Sequence, residues 1–307
     1  RHHWHRWTPD GWRQAEADLQ DAIARAPGHA SSHAWLAATY AVQGMFGLRR
    51  AREAFALAHG AVARALELDP GLPEAHEFRG AIALWHGWDW PEAGRWIRSA
   101  VRLNPGGAGH RHLLALLYAH VGRAGEALAE IRAALRIDPL SSIVNTDCAW
   151  VLYYARRHDE ALAQCVATLR LDPNFAHARR LLGLVLSALG RSGEAVAELR
   201  AACDLARGDP RVDAWLGYGL ARAGERDAAN AILAELESRA QVGFVEPMWP
   251  ARVSAGLGRV DDAYRWLERA WEERSRDLIT LRVDAAWDAL RPDPRWNDWI
   301  AKLGLGD

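Results

Sequence analysis

Histidines are the residues in this chain whose types and spacing come nearest to metal chemistry, and the first group lies at the start. His2, His3 and His5 fall within the first five residues. On a helix His2 and His5 would share a face at i, i+3, which is a weak arrangement for a transition metal. The competing interpretation is that this stretch is the remnant of a repeat helix cut at its start. We favour the remnant and predict no metal site here.

A second group of polar residues invites a catalytic interpretation. His112 and His120 share a helical face, but a helix rise of two turns separates them by about 12 Å, so they cannot chelate one ion. Glu77 and His112 would form an acid–base pair if neighbouring units brought them together. The chain has no nucleophile elbow, phosphate-binding loop, dinucleotide fingerprint or HExxH motif. We therefore predict that the protein is not an enzyme and uses no metal or cofactor.

The three cysteines carry little chemistry. Cys148, Cys165 and Cys203 are too few and too irregularly spaced for a disulfide framework or a zinc site. Each lies in an apolar pattern of helical period. We expect buried thiols that behave as small apolar side chains.

Composition excludes several classes of protein. The 38 basic and 39 acidic residues are interspersed and leave a net charge of -1, whereas nucleic-acid binders are usually basic. No apolar run reaches the length of about 18 residues that a membrane span needs. We expect no nucleic acid and no membrane insertion for this region. A cytoplasmic location is favoured and a periplasmic one stays open, as does the oligomeric state.

The elements that position these residues come from an internal repeat. Four similar segments end successive units with spacings of 35, 34 and 34 residues. They are ALELDP (65–70), AVRLNP (100–105), ALRIDP (134–139) and TLRLDP (168–173). In the unit 108–139, Gly122 marks a stop between two helices, and Ala127, Ile131 and Ala134 share one face of the second helix. Such pairs bury their apolar faces only by stacking.

The repeat resembles the tetratricopeptide repeat (TPR), which has 34 residues and two helices. The resemblance covers nearly the whole chain. It implies an all-α fold, a right-handed α-α superhelix (TPR solenoid), of about seven and a half helix pairs over residues 1–275. The second unit is oversized, with an insertion near 45–57. Residues 276–307 are predicted to form a capping segment, in which one face of the last helix carries Trp296, Trp299, Ile300 and Leu303.

Three longer pieces resemble a narrower group. They are WDWPEAGRWIRSAVRLNP (88–105), IDPLSSIVNTDCAWVLYYARRHDEAL (137–162) and VDAAWDALRPDPRWNDWIAKLGL (283–305). They are similar to the C-terminal TPR region of bacterial winged-helix regulators, serine/threonine kinases and nucleotide cyclases. This resemblance implies a region that binds protein or senses a signal rather than one that catalyses. Because the chain begins at Arg1, we interpret it as part of a longer protein whose effector these residues do not reveal.

Four tryptophans between positions 85 and 96 raise the question of an aromatic cage. Trp88 and Trp90 fall in a turn one residue longer than usual, and Trp96 is next to the packing residue Ile97. We interpret Trp88, Trp90 and Trp96 as scaffold and a ligand cage as the less favoured alternative. Trp85 differs because it projects from the opposite face of its helix.

That opposite face supplies the candidate site, since the first helices of TPR arrays line a concave surface. Aromatic residues and arginines are enriched at binding hot spots, and arginines clamp carboxylates or phosphates. We predict a groove for a peptide or partner helix, with a small-ligand pocket as the alternative. A third interpretation is that Trp150, Tyr153 and Tyr154 pack within a tight superhelix or against the loop at 45–57. The candidate residues are Glu77, Trp85, His112, Leu116, His120, Trp150, Tyr153, Tyr154, Arg180, Leu184, Ser187, Tyr218, Arg222 and Arg252.

One known binding mode of TPR proteins is excluded by the residues present. Chaperone-tail binders use a clamp of lysine, arginine and asparagine at fixed groove positions. The comparable positions in the third and fourth units hold Glu77, Ala81, His112 and Leu116. None is a lysine or an asparagine, so we do not expect that clamp.

Overall fold

The computed structural model of the chain describes residues 9–206 and 208–306, and all regular structure within these ranges is helical. The all-α prediction is therefore confirmed. The histidines at positions 2, 3 and 5, for which we predict no metal site, lie outside the described residues. No helix in the described ranges is both long and apolar enough to cross a bilayer.

The chain divides into two compact units. Unit 1 comprises residues 1–117 with 273–276, and unit 2 comprises residues 118–272 with 277–307. The boundary falls inside the sixth helix. Unit 1 contains α1 Pro9–Arg25, α2 Ala30–Met45, α3 Ala51–Leu68, α4 Pro73–Ile82, α5 Trp90–Leu103 and most of α6 Ala108–His120. Unit 2 contains α7 Ala124–Ile137, α8 Ser142–Tyr154, α9 His158–Leu171, α10 Ala176–Ala188, α11 Ser192–Ala206, α12 Pro210–Ala223, α13 Arg226–Val242, α14 Met248–Gly256, α15 Val260–Glu272 and α16 Arg295–Lys302.

Helices begin and end at capping residues, prolines and glycines that the sequence provides. Asp209 accepts a hydrogen bond from the backbone N–H of Arg211, and Pro210 occupies the first turn of α12. The same helix ends at Gly224, whose φ of +85° is the left-handed conformation that glycine adopts without strain. This repeat helix therefore starts and stops for local reasons.

Small residues let the two helices of a pair approach closely. A Cβ built on Gly183 of α10 would lie 2.6 Å from Cγ of Leu199 and 3.0 Å from the carbonyl oxygen of Ala195, both on α11. Gly80 of α4 meets Ile97 of α5 in the same way, at 2.5 Å from Cγ1. Glycine at these positions is a packing requirement, because any larger side chain would force the helices apart.

The third repeat absorbs its additional residue in a π-helical turn. Residues Ala83–Gly87 form this turn, and Trp88 follows with a φ of 53°. The Trp88 side chain is 8% exposed, and the Arg274 guanidinium lies 4.7 Å from its ring centroid. Asp89 then caps α5 by accepting a hydrogen bond from the backbone N–H of Glu92. Trp88 therefore covers the turn as a packing residue.

After α15 the chain of unit 2 continues in irregular backbone and short 3-10 turns before the last helix. We call residues 277–290 the tail segment. Its apolar side chains Leu278, Ile279, Leu281, Trp287 and Leu290 are fully buried. At about 1.5–3 kcal/mol for each large side chain removed from water, this burial makes the tail segment an integral part of the core.

The last helix, α16, packs on α15. Trp299 lies 6.2 Å from Trp271 between ring centroids, and the Lys302 ammonium lies 4.4 Å and 4.3 Å from these two rings. Trp296, Trp299 and Leu303 are buried, whereas Ile300 is only half-buried.

Two of the three cysteines are buried. Burial raises the pKa of Cys148 to about 11 and that of Cys165 to about 12, so both remain neutral thiols at physiological pH. The expectation of burial was wrong for Cys203, which is half-buried near the end of α11. Burial, followed by the charge of Asp213, also raises the Cys203 pKa, to about 12.

Candidate functional site

Most of the predicted groove residues are covered by other parts of the chain. Less than a tenth of the surface is exposed for Leu116, His120, Trp150, Tyr153, Leu184, Ser187, Tyr218 and Arg252. The half-buried members are Glu77, Trp85, His112, Tyr154 and Arg180, and Arg222 is exposed. The face therefore has a buried part, which binds the chain itself, and a smaller accessible part.

In unit 1 the possible acid–base pair is made by a different histidine from the one predicted. Glu77 forms a 2.5 Å hydrogen bond with Nδ1 of His110 and not with His112. Because α6 starts at Ala108, the helix turns the buried His110, rather than His112, towards α4. Burial lowers the His110 pKa, but the hydrogen bond and charge of Glu77 outweigh it and raise that pKa overall.

The other unit 1 residues contribute to packing. Trp85 packs against the cluster that contains Phe78 and Ile82. The Arg276 guanidinium lies 5.5 Å from its ring centroid. Trp85 thus has an intramolecular cation as its neighbour, and Leu116 is buried on α6.

In unit 2 the predicted aromatic residues do form one cluster. Trp150 lies 5.6 Å from Tyr153 and 5.2 Å from Tyr154 between ring centroids. Tyr154 in turn lies 5.5 Å from His120. Trp215, which was not among the predicted residues, lies 6.3 Å from Trp150. Its i, i+3, i+7 spacing with Tyr218 and Arg222 is the signal that could have found it.

Arg252 is the most deeply buried cation of this cluster. Its guanidinium lies 3.6 Å from the ring centroid of Trp215 and 5.1 Å from that of Trp287. The nearest carboxylates are distant partners, Asp277 at 3.8 Å and Asp284 at 3.9 Å. Burial raises the pKa of Asp284 even though Arg252 acts in the opposite direction. Arg252 is therefore positioned by the aromatic rings together with these two more distant carboxylates.

The tail segment is what covers the face. The Tyr153 hydroxyl donates to Asp284 at 3.0 Å, and Arg156 donates two hydrogen bonds to Asp288, at 2.6 Å and 2.7 Å. The Tyr264 hydroxyl donates to the carbonyl oxygen of Leu290 at 3.2 Å. The packing partner of these aromatic residues is therefore the tail segment, and not the loop at 45–57 or a neighbouring turn of a tight superhelix, which were the expected alternatives. The residues that bond to the face are thus acidic side chains from a segment without regular α-helix.

Arg180 belongs to the accessible part of this face. Its guanidinium lies 5.3 Å from the ring centroids of both Trp150 and Trp215, and Nη2 lies 2.7 Å from Nδ1 of His177. Within the described residues no carboxylate lies within ion-pair distance of it. Burial, followed by the positive charges of Arg211 and Arg252, lowers the Arg180 pKa to about 10. At neutral pH the group is still a cation, and it lacks an anionic partner.

Comparison with known proteins connects this arrangement to one class of fold. The family model for the tetratricopeptide repeat matches residues 147–210. The TPR protein TTC0263 of Thermus thermophilus is similar in structure, with a TM-score of 0.51 and 22% identity over 55% of this chain and 92% of that one. The fold is a TPR solenoid.

Two further solved structures are similar in fold to this chain. PilW, described as a widely conserved type IV pilus biogenesis factor, has a TM-score of 0.55 and 19% identity over 70% of this chain and 94% of its own. Human IFIT1, solved as a dimer with PPP-AAAA, has a TM-score of 0.60 and 14% identity over 85% of this chain and 68% of its own. No curated protein matches the chain. At these identities the likeness establishes the fold alone.

The chemistry available on this TPR face is recognition by cations, hydroxyls and aromatic rings. Across residues 9–206 and 208–306, no group of three or more histidine, cysteine or acidic side chains is placed to hold a metal ion. The face instead offers guanidinium groups set against aromatic rings, which suit carboxylates and other planar anions.

Proposed function

We propose that this chain is a non-catalytic protein-interaction module, of the kind that bacterial signalling proteins carry beside an effector domain. Its binding site is the accessible part of the first-helix face of unit 2, around Arg180 and Tyr154. Its ligand is a peptide segment that carries a carboxylate next to an aromatic or aliphatic side chain.

The observation that carries the proposal is the unpaired charge of Arg180. A guanidinium held against two tryptophan rings is partly desolvated, so a carboxylate that reached it would form a strong charge-assisted hydrogen bond. The same face already accepts Asp284 at Tyr153 and Asp288 at Arg156. The recognition chemistry that we propose for a partner is therefore used within the chain.

A neighbouring residue provides a matched control. Arg179 precedes Arg180 on α10, but it is paired with Glu198 at 2.9 Å and donates to the carbonyl oxygen of Pro173. Substitution of either arginine by glutamine removes one positive charge from the same helix turn. Only Arg180→Gln would remove the unpaired one.

The test uses a fluorescent peptide, DAAWDAL, which copies residues 284–290, and its uncharged counterpart NAAWNAL. Fluorescence anisotropy would measure binding to the full chain and to the two variants. We expect the acidic peptide to bind at least about 10-fold more tightly than the uncharged one, since a charge-assisted hydrogen bond contributes about 1.5–3 kcal/mol. Arg180→Gln should remove this preference and Arg179→Gln should keep it. Equal binding of the two peptides, or equal loss in the two variants, would contradict the proposal.

A second candidate function is the sensing of a small ligand. It is favoured by a cavity of about 300 Å³ in unit 2 that Tyr218 and Arg222 line. This volume is at the lower end of the range for small-molecule sites and too small for a peptide.

A further inference from the structure

The cavity of unit 2 lies where α10 and α12 approach the tail segment. Ser187 is near the end of α10, Tyr218 and Arg222 are on α12, and Asp288 belongs to the tail segment. Arg156 and His158 complete the polar part of the wall. The remaining lining residues are alanines, so the chemistry of the cavity rests on these six side chains.

Two hydroxyl groups in this wall lack hydrogen-bond partners. Tyr218 is 6% exposed and Ser187 is 8% exposed, and neither hydroxyl bonds to any residue in the described part of the chain. Burial, followed by the negative charge of Asp284, raises the pKa of Tyr218, so its phenol stays protonated and can donate. Both residues line the cavity, so their hydroxyl groups are free to bond to a ligand there.

The charges around the cavity sum to a positive value. Asp288 accepts hydrogen bonds from Arg156 and also from Arg291, at 2.7 Å, so two cations offset its single charge. These bonds lower the pKa of Asp288 although burial opposes the shift. Burial, followed by the charge of Arg156, lowers the pKa of His158, whose ring is neutral at physiological pH.

Arg222 provides the charge that nothing offsets. It is exposed at the rim of the cavity, and within residues 9–206 and 208–306 no carboxylate lies within ion-pair distance of it. A cationic ligand would be repelled here, and a neutral ligand would leave the guanidinium unused. An anion would satisfy Arg222 and both hydroxyls together.

We propose that this cavity binds a small oxyanion, the carboxylate or phosphoryl group of a metabolite. Arg222 provides the positive charge, and Tyr218 and Ser187 donate hydrogen bonds to the oxygens. The inference rests on the second candidate function, ligand sensing, and is independent of the peptide site at Arg180.

The probes are inorganic phosphate and acetate, each titrated into the full chain at an ionic strength held constant with sodium chloride. Isothermal titration calorimetry would give the affinity, and thermal unfolding would report stabilisation of the folded chain. The variants are Tyr218→Phe and Arg222→Gln. Arg191→Gln is the control, since Arg191 is an exposed residue of unit 2 already paired with Glu194.

We expect saturable binding of phosphate or acetate. Tighter binding of phosphate would identify the ligand's group as phosphoryl, and tighter binding of acetate would identify it as a carboxylate. Tyr218→Phe and Arg222→Gln should each weaken binding at least about 10-fold, the usual loss for a hydrogen bond to a charged group. The control should bind as the wild type does. Tyr218→Phe should also fold with unchanged stability when no oxyanion is present, because its hydroxyl has no hydrogen-bond partner among the described residues.

Two results would overturn the inference. One is that phosphate and acetate stabilise the folded chain no more than chloride does. The other is that the wild type and all variants bind phosphate or acetate with equal affinity. A third result is that uncharged fragments stabilise the wild type but not Tyr218→Phe, while phosphate and acetate have no effect. That result would contradict oxyanion binding but would still support ligand sensing. If neither uncharged fragments nor oxyanions bind, the sensing function fails as well.

Discussion

The hydroxyl of Tyr153 donates a 3.0 Å hydrogen bond to Asp284, a residue 131 positions away in the chain. Both side chains are only 1% exposed. Asp284 also accepts from the backbone N–H of Ala286 at 2.9 Å, which fixes the turn of the tail segment. This contact therefore holds the tail segment against α8.

Removal of this hydroxyl should destabilise the chain. Tyr153→Phe keeps the ring but takes a donor from a buried carboxylate, so we expect a loss of about 1.5–3 kcal/mol in the free energy of unfolding. Urea unfolding followed by circular dichroism would measure it. Tyr118→Phe is the control, because the Tyr118 hydroxyl has no hydrogen bond within the described residues. Equal stability of the two variants would contradict the assigned role of Tyr153.

The buried pair of Arg252 and Asp284 should be energetically coupled. Arg252→Met leaves a buried carboxylate without its cation, and Asp284→Asn leaves a buried cation with only the more exposed Asp277. Each single variant should lose about 3–5 kcal/mol, and the double variant should lose less than the sum of the two. A double-mutant cycle measured by urea unfolding at pH 7 tests this. Strict additivity would show that the aromatic rings alone position Arg252.

His86 should make unit 1 sensitive to acid. Its ring stacks on Phe55 at 4.5 Å. Burial, followed by the charges of Arg274, His59 and Arg52, lowers its pKa from 6.5 to about 4. Because the unfolded chain takes up this proton first, the stability present above pH 6.5 is lost as the pH falls towards 4.

The variant His86→Phe removes this titration and preserves the stacking. Between about pH 7 and pH 4.5, the free energy of unfolding of the wild type should fall by roughly 1 kcal/mol more than that of the variant. Solvent screening of the partly exposed ring keeps this difference small. Urea unfolding at a series of pH values measures the difference. Parallel pH profiles of the two proteins would show that His86 does not cause the acid sensitivity.

The α10–α11 pair offers a matched test of close packing. Gly183→Ala would force its Cβ against Leu199 and the carbonyl oxygen of Ala195, and we expect a loss of about 1–3 kcal/mol. Gly193→Ala, in the first turn of α11, meets nothing within 4 Å and should stabilise by up to about 1 kcal/mol. Thermal unfolding of the two variants should shift the midpoint in opposite directions. Shifts of the same sign would contradict this description of the helix contact.

The repeat architecture was predictable because its determinants are local. Proline and glycine punctuation, a spacing of 34 residues and small residues such as Gly183 all lie within one unit, so their pattern repeats along the sequence. The extra residue before Trp88 was visible as well. The Arg274 guanidinium that lies against the Trp88 ring after this π-helical turn was not, because it follows nearly two hundred positions later.

The candidate site was predictable only in part, because one of its components is distant in sequence. The aromatic cluster around Trp150 follows from helical periodicity and was foreseen. That Asp284 and Trp287 cover it does not follow from any repeat, since the tail segment lies outside the helix–turn–helix pattern. Arg252 was assigned to a groove that faces solvent and is in fact enclosed between two tryptophans. Whether the accessible residues bind a partner stays a prediction.

The tail segment also has a kinetic consequence. In a simple solenoid each repeat contacts only its neighbours, so folding propagates locally and the ends fray independently. In unit 2 the docking of residues 277–290 joins α8 to positions made much later on the ribosome, and contacts of such separation slow folding. The face of α8 stays incomplete until these residues have been synthesised. This unit therefore acquires its final structure late and opens as one cooperative block rather than repeat by repeat.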